Sequence, residues 1–183
     1  MGADDQLSHD DRLLDALDQC PREARCLTAY RVVRVGRSVF DYARGGGRWN
    51  MRSLDVLYAA LDPDGACAEI HFHLSRGQSV FPSRLRHALY ELRVEVGKLA
   101  VLDSLEALSA LGVETSRYTE LLYHRTQEIG AAAYFLGFEA LLVPNARWDC
   151  ANLVILKSLE LDQIEVVSEQ PIDWNAWRAA NGR

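Results

Sequence analysis

The chain has 183 residues, a formal net charge of −6 and a pI near 5.4. At 49% hydrophobic and 25% charged it has the balance of one globular domain, long enough to bury a real core. The acidic balance argues against binding nucleic acid through its phosphates, which needs a basic face. No apolar run reaches the roughly 18 residues of a membrane span. The N-terminal stretch MGADDQLSHDDRLLDAL is too acidic and polar for a signal or transit peptide, so a cytoplasmic protein is expected.

In chain order, residues 9–19 place Leu13, Leu14 and Leu17 at helical spacing before Pro21 interrupts. TAYRVVRV, 28–35, is β-branched and aromatic and predicts a strand. Residues 36–53 form a long Gly/Arg/Ser-rich segment of the kind that is functional or disordered in a compact domain. VLYAA, 56–60, reads as a short strand. Asp62-Pro63-Asp64-Gly65 is turn chemistry and a helix start, and the helix 64–75 carries Ala66, Cys67, Ile70 and Leu74 on one face. Over 88–102, Leu89, Glu91, Arg93 and Glu95 alternate with Tyr90, Leu92, Val94 and Val96, a strong strand pattern. A short helix over 104–111 and a longer one over 118–136, ended by Gly137, come next. Strands follow at 140–144, 152–156 and 163–167, and a last short helix at 172–180 carries Trp174 and Trp177. These elements predict one α+β domain over 1–183, with a central mixed sheet of about six strands, inserted helices and a helical extension at 1–20. The two tryptophans are read as core packing, with contact to another subunit as the alternative.

The four cysteines, Cys20, Cys26, Cys67 and Cys150, lack metal-ligand spacing and read as free thiols. His71 and His73 are two apart on a helix and point to different faces, so no metal site is expected there.

The chemistry concentrates in 45–74. Gly45-Gly46-Gly47 permits positive φ and a close backbone approach to a ligand. Arg48 follows, and Arg31 lies on the preceding strand; guanidinium forks grip phosphate oxygens in pairs. Tyr58 offers a ring for stacking with a hydroxyl handle. Glu69 is beside the apolar face of its helix and can point into a pocket. With no His or Cys partner, its task would be electrostatic. Phosphate clamps, a ring and one carboxylate suit cleavage of an N-glycosidic bond in a dinucleotide, whose sugar becomes oxocarbenium-like. Each residue also has an ordinary structural reading. Gly-rich loops are commonly linkers, Glu69 can be a solvated helix residue, and a Tyr in an apolar strand is commonly core. The 36–53 segment is either a mobile cover or a loop packed through Trp49. Arg147-Trp148 either rims the pocket or packs the next strand.

Taken in order, Tyr30-Arg31, Gly47-Arg48-Trp49-Asn50, Leu57-Tyr58-Ala59, Ala68-Glu69 and Gly137-Phe138-Glu139-Ala140-Leu141-Leu142-Val143-Pro144-Asn145-Ala146-Arg147 resemble the RES domain. The resemblance runs from about 28 to 157. It implies a fold similar to ADP-ribosyltransferase toxins and the toxin half of a bacterial toxin–antitoxin pair. It implies NAD+ as substrate, consumed by hydrolysis or phosphorolysis, or used to transfer ADP-ribose to a protein. A catalytically inactive binding module is the third reading. The implied partner is an antitoxin with a helix-turn-helix DNA-binding region and a segment that blocks the active site, with a homo-oligomer possible inside that complex. By position, Arg31 and Glu69 are the family Arg and Glu and the expected catalytic pair. Arg31, Arg48, Tyr58 and Asn145 are expected to bind NAD+. The family Ser should follow Pro144, and this chain has Asn145 instead. An amide can position a ligand but cannot supply a hydroxyl.

Overall fold

A computed structural model describes residues 10–43, 45–77 and 84–182. The first helix, α1 (Asp11–Asp18), is capped by the Asp10 carboxylate, which accepts from the Arg12 N–H. The expectation of helix at residue 9, and residues 1–9 of the expected 1–20 extension, lie outside the described residues. Leu13 and Leu17, one turn apart, form the buried face of α1. They share a core with Ile129, Ala132 and Ala133 of α4 (His124–Phe135).

The strands are β1 (Glu23–Arg34), β2 (Val56–Ala60), β3 (His87–Val101), β4 (Ala140–Pro144), β5 (Ala151–Leu156) and β6 (Ile164–Pro171). The helices α2 (Pro63–Ser75), α3 (Leu105–Ala110) and α5 (Trp174–Ala180) complete the set. The sheet runs β1-β2-β5-β4-β3-β6, and β1 also pairs with β3, so five strands close on themselves and β6 adds outside. β3 runs parallel to β4 and antiparallel to β1 and β6. The mixed α+β architecture expected from the sequence is therefore present.

Period-two alternation explains the layers. In β2, β4 and β5, residues Val56, Leu141, Val143, Val154 and Leu156 face a core shared with α1, α3 and α4. Their neighbours Leu57, Ala59, Ala140, Leu142, Leu153 and Ile155 face a second core, completed by Leu92, Val94 and Val96 of β3 and Ala29 and Val33 of β1. These short strands are buried on both faces, which is why they read as continuous apolar runs. A third cluster joins Ala66, Cys67, Ile70 and Leu74 of α2 to Val32, Trp174 and Trp177. Trp174 is 3% exposed, and its indole N–H donates to His87 Nδ1 at 3.1 Å. The tryptophans are thus core packing. All four cysteines are free thiols.

The expected helix over 118–136 is shorter than its pattern suggested. Thr115–Arg117 is a 3-10 turn, and helix begins at His124. Tyr118, Leu121 and Leu122 imitate helical spacing, yet only Tyr118 is buried, its hydroxyl donating to the Pro144 carbonyl at 2.7 Å. Leu121 and Leu122 are exposed. Tertiary contact at Tyr118 overrides local periodicity. Gly137 sits just past α4 at φ +77°, the left-handed residue that ends the helix.

Candidate active site

Among the described residues, β1 and β2 pair at one register point, Tyr30 opposite Ala60. Beyond it the strands part. A cleft of about 470 Å³ opens there, lined by β1, β2, Ala43 and the loop residues 46–49, α2 and the start of β5. Arg31 bridges the gap. One terminal nitrogen donates to the Tyr58 carbonyl and the other to the Asp41 carbonyl, both at 2.7 Å. Its Nε is buried without a hydrogen-bond partner among the described residues. Burial lowers the Arg31 guanidinium to about 10, against the opposing pull of Asp41, so it stays charged at neutral pH. Arg31 lines the cleft as a splint between strand and loop, and its position is set by backbone carbonyls.

The loop side is densely anchored. Trp49 is 1% exposed, in the α-helical core. Its N–H donates to the Tyr58 hydroxyl at 2.9 Å, and that hydroxyl donates to Asn50 Oδ1 at 2.8 Å. The fully buried Asn50 amide donates to the carbonyls of Ala43, Met51 and Leu54. From α4, Thr126 Oγ1 donates to the Arg48 carbonyl at 2.6 Å and Gln127 Nε2 to the Gly47 carbonyl at 2.8 Å. A Cβ on Gly130 of α4 would lie 1.9 Å from the Trp49 carbonyl. Of the two sequence readings of this segment, the packed loop is the one the contacts describe for its described residues. Gly47 has a different use from the one expected. A Cβ there would meet the Tyr58 hydroxyl at 2.7 Å, so its bareness admits Tyr58. Burial pushes the Tyr58 hydroxyl well above the usual tyrosine range, so it stays protonated.

Arg48 reaches the cleft with its guanidinium between the rings of Tyr118 and Tyr123, 4.7 Å from each centroid, and donates to the Glu120 carbonyl at 3.0 Å. This arrangement favours a guanidinium, which can meet two rings and still donate a directed hydrogen bond, over an ammonium.

The other side is α2 and the β4–β5 turn. Asp62 caps α2 by accepting from Gly65 N–H, with Pro63 in the first turn. Ala66, Glu69, Ile70, His73 and the capping Arg76 fall on one face and line the cleft. His71 points the other way, 5.5 Å from the Trp177 ring, as its two-residue offset from His73 required. Glu69 Oε1 accepts from Asn152 Nδ2 at 3.4 Å. Arg147 lines the cleft with its guanidinium 3.4 Å from the Phe72 ring centroid. Desolvation holds His73 below the usual histidine range, with Glu69 pulling the other way.

Of the sequence-selected residues, Arg31, Arg48, Tyr58 and Glu69 come together on this cleft. Asn145 does not line it. It is 8% exposed, one layer behind, bonded to Asn152. Asn152, His73, Arg76 and Tyr123 also line the cleft and were not selected from sequence. Helical spacing from Glu69 pointed to His73 and Arg76, and a lone amide opening the apolar run NLVIL marked Asn152. Tyr123 carried no local signal. Among the described lining residues Glu69 is the sole carboxylate, facing four arginines, in a protein of net charge −6. No Ser, Thr, Cys or Lys lines it among those residues. Nor do the described residues hold a group of three or more His, Cys, Asp or Glu placed for a metal ion.

A closed mixed sheet split at β1–β2, with Arg, Tyr and Glu converging in the split, defines a class. The RES domain family model matches residues 9–175, and the chain belongs to that family. It is 32% identical over 125 residues to the NAD(+) phosphorylase MbcT of Mycobacterium bovis and of Mycobacterium tuberculosis, covering 65% of this chain and 67% of the relative. Its fold matches a chain in the crystal structure of the M. tuberculosis MbcT–MbcA toxin–antitoxin complex. The TM-score is 0.80 at 20% identity, over 95% of this chain and 99% of that one.

Proposed function

We propose that this chain is a toxin-type enzyme that cleaves the nicotinamide–ribose bond of NAD+ with inorganic phosphate as acceptor. The observation that carries the reading is the single carboxylate, Glu69, set among Arg31, Arg48, Arg76 and Arg147 in a cleft without a Ser, Thr, Cys or Lys among its described lining residues. The relatives named as NAD(+) phosphorylases support the choice of acceptor.

In this reading Arg48 and Arg147 attract the pyrophosphate, their guanidinium planes held by aromatic faces. Arg31 holds the mouth of the split open and adds positive charge. Glu69 faces the ribose. As the C–N bond breaks, its electron pair goes to the pyridinium nitrogen and neutral nicotinamide leaves. Positive charge develops on the ribose, and the Glu69 carboxylate stabilises it. A phosphate oxygen then forms the new C–O bond, giving ADP-ribose phosphorylated on the ribosyl carbon. Among the described lining residues no Ser, Thr, Cys or Lys competes as nucleophile, and in this reading the acceptor comes from solution.

A protein partner that occupies this cleft would silence the enzyme, and the match to a chain of a toxin–antitoxin complex supports an antitoxin as that partner. The DNA-binding helix-turn-helix of that partner and a homo-oligomer in the complex belong to the same proposal. So does the likeness to ADP-ribosyltransferase toxins.

The test is nicotinamide release from NAD+ by the purified protein, freed of any co-purifying antitoxin, with and without phosphate. Release that depends on phosphate is expected. Equal release in both conditions assigns water as acceptor, and label transfer from NAD+ to a protein assigns a transferase. No cleavage and no transfer would leave an inactive binding module and overturn the proposal.

A further inference from the structure

The orientation of the Glu69 partner follows from backbone groups alone. Asn145 Oδ1 accepts from the N–H groups of Arg147 at 2.7 Å and Trp148 at 3.1 Å. Backbone N–H groups only donate, so that atom must be the oxygen. The other side-chain atom is then the amide nitrogen, and it faces the Gly65 carbonyl, a pure acceptor, at 3.4 Å. The same nitrogen donates to Asn152 at 2.8 Å, so the atom it meets there must be Asn152 Oδ1. This leaves Asn152 Nδ2 directed at Glu69 Oε1. Three backbone groups thus fix two amides in series and present a donor to the cleft carboxylate. The bare Gly65 admits the Cys150 thiol, which a Cβ there would meet at 2.5 Å, and leaves Asn145 Nδ2 at 3.3 Å from the same point.

We propose that Asn145 is a positioning residue for Glu69, acting through Asn152, and that its amide is the feature that makes this relay work. A hydroxyl at 145 cannot accept from the two turn N–H groups and also reach Asn152 with the same geometry. The inference rests on the proposed function for its kinetic consequence, but its geometry can be read without activity.

The decisive variant is Asn145→Asp. It is nearly isosteric and keeps an oxygen for both turn N–H groups. Its second oxygen would turn the Asn152 amide over and present Oδ1 to Glu69. In side-chain amide NMR spectra, Glu69→Gln should shift the Asn152 amide signals in the wild-type background and leave them in place in the Asn145→Asp background. For nicotinamide release, Asn145→Asp should lower kcat about tenfold or more, the loss of one hydrogen bond to a charged group. KM for NAD+ should change less than about threefold, and the acid limb of kcat should move to higher pH. Asn152→Asp, which leaves the 145–148 turn untouched, should give the same kinetic changes and serves if the first variant does not fold. Equal responses of the Asn152 signals in both backgrounds, or wild-type kcat and acid limb in both variants, would overturn the proposal. If the wild-type protein releases no nicotinamide, the functional reading fails while the NMR comparison still decides the relay.

Discussion

On the loop side of the cleft, Trp49 sits in the core, Asn50 is fully buried, and two side chains of α4 hold the Gly47 and Arg48 carbonyls. On the α2 side, Glu69 is half-buried and the described contact to its carboxylate is one amide at 3.4 Å. On the first side the functional groups are part of the hydrophobic core itself. On the second, α2 is packed through Ala66, Cys67, Ile70 and Leu74, and the Glu69 carboxylate is held through a short chain of amides. Damage to the loop side should therefore appear as lost stability, and damage to the α2 side as lost turnover in a folded protein.

The largest stability effect is expected at Trp49. Trp49→Ala should cost about 3–5 kcal/mol in urea unfolding, the usual range for emptying a large aromatic site. A much smaller cost would mean that the loop is not part of the core. Tyr58→Phe comes next. It strands the Trp49 N–H and Asn50 Oδ1, at about 1–3 kcal/mol for buried groups left unpaired, while KM for NAD+ should move less than about threefold. A large rise in KM at unchanged stability would make the hydroxyl a ligand contact instead. Arg48→Lys keeps the charge but loses the plane between Tyr118 and Tyr123. It should raise KM about three- to tenfold, the loss of a stacked cation and a forked donor.

The smallest effect is expected from pH. Desolvation holds His87 below the usual histidine range, against the opposing pull of the Leu85 carbonyl beside Nδ1. His73 is lowered for the same leading reason. The unfolded chain protonates these rings near pH 6.5 while the folded protein resists, so stability should fall as pH drops below about 6.5. Thermal unfolding across that window should show the slope, and His87→Phe should flatten it. A Tm that rises on acidification would contradict the assignment.

Much of the frame was legible because its signals are local. VLYAA and ALLVP are strands at the expected residues, since runs buried on both faces announce themselves. β1 begins at Glu23, earlier than expected, because its first residues are held by pairing with the far end of β3, which no local window contains. The same limit applies to the site. Arg48, Tyr58 and Glu69 carried chemistry in their types and spacing. Asn152 and Tyr123 enter the cleft through strand pairing and a turn that only the tertiary fold defines. Asn145 was legible as a departure from the family Ser, but its use depends on where two backbone N–H groups point.

The most direct measurement of the central claim is nicotinamide release by Glu69→Gln beside wild type, with binding of NAD+ and thermal stability recorded for both. The account predicts a folded variant that still binds NAD+ and releases nicotinamide at least about a hundredfold more slowly, the scale of losing one preorganised electrostatic partner. Wild-type turnover in that variant would contradict it.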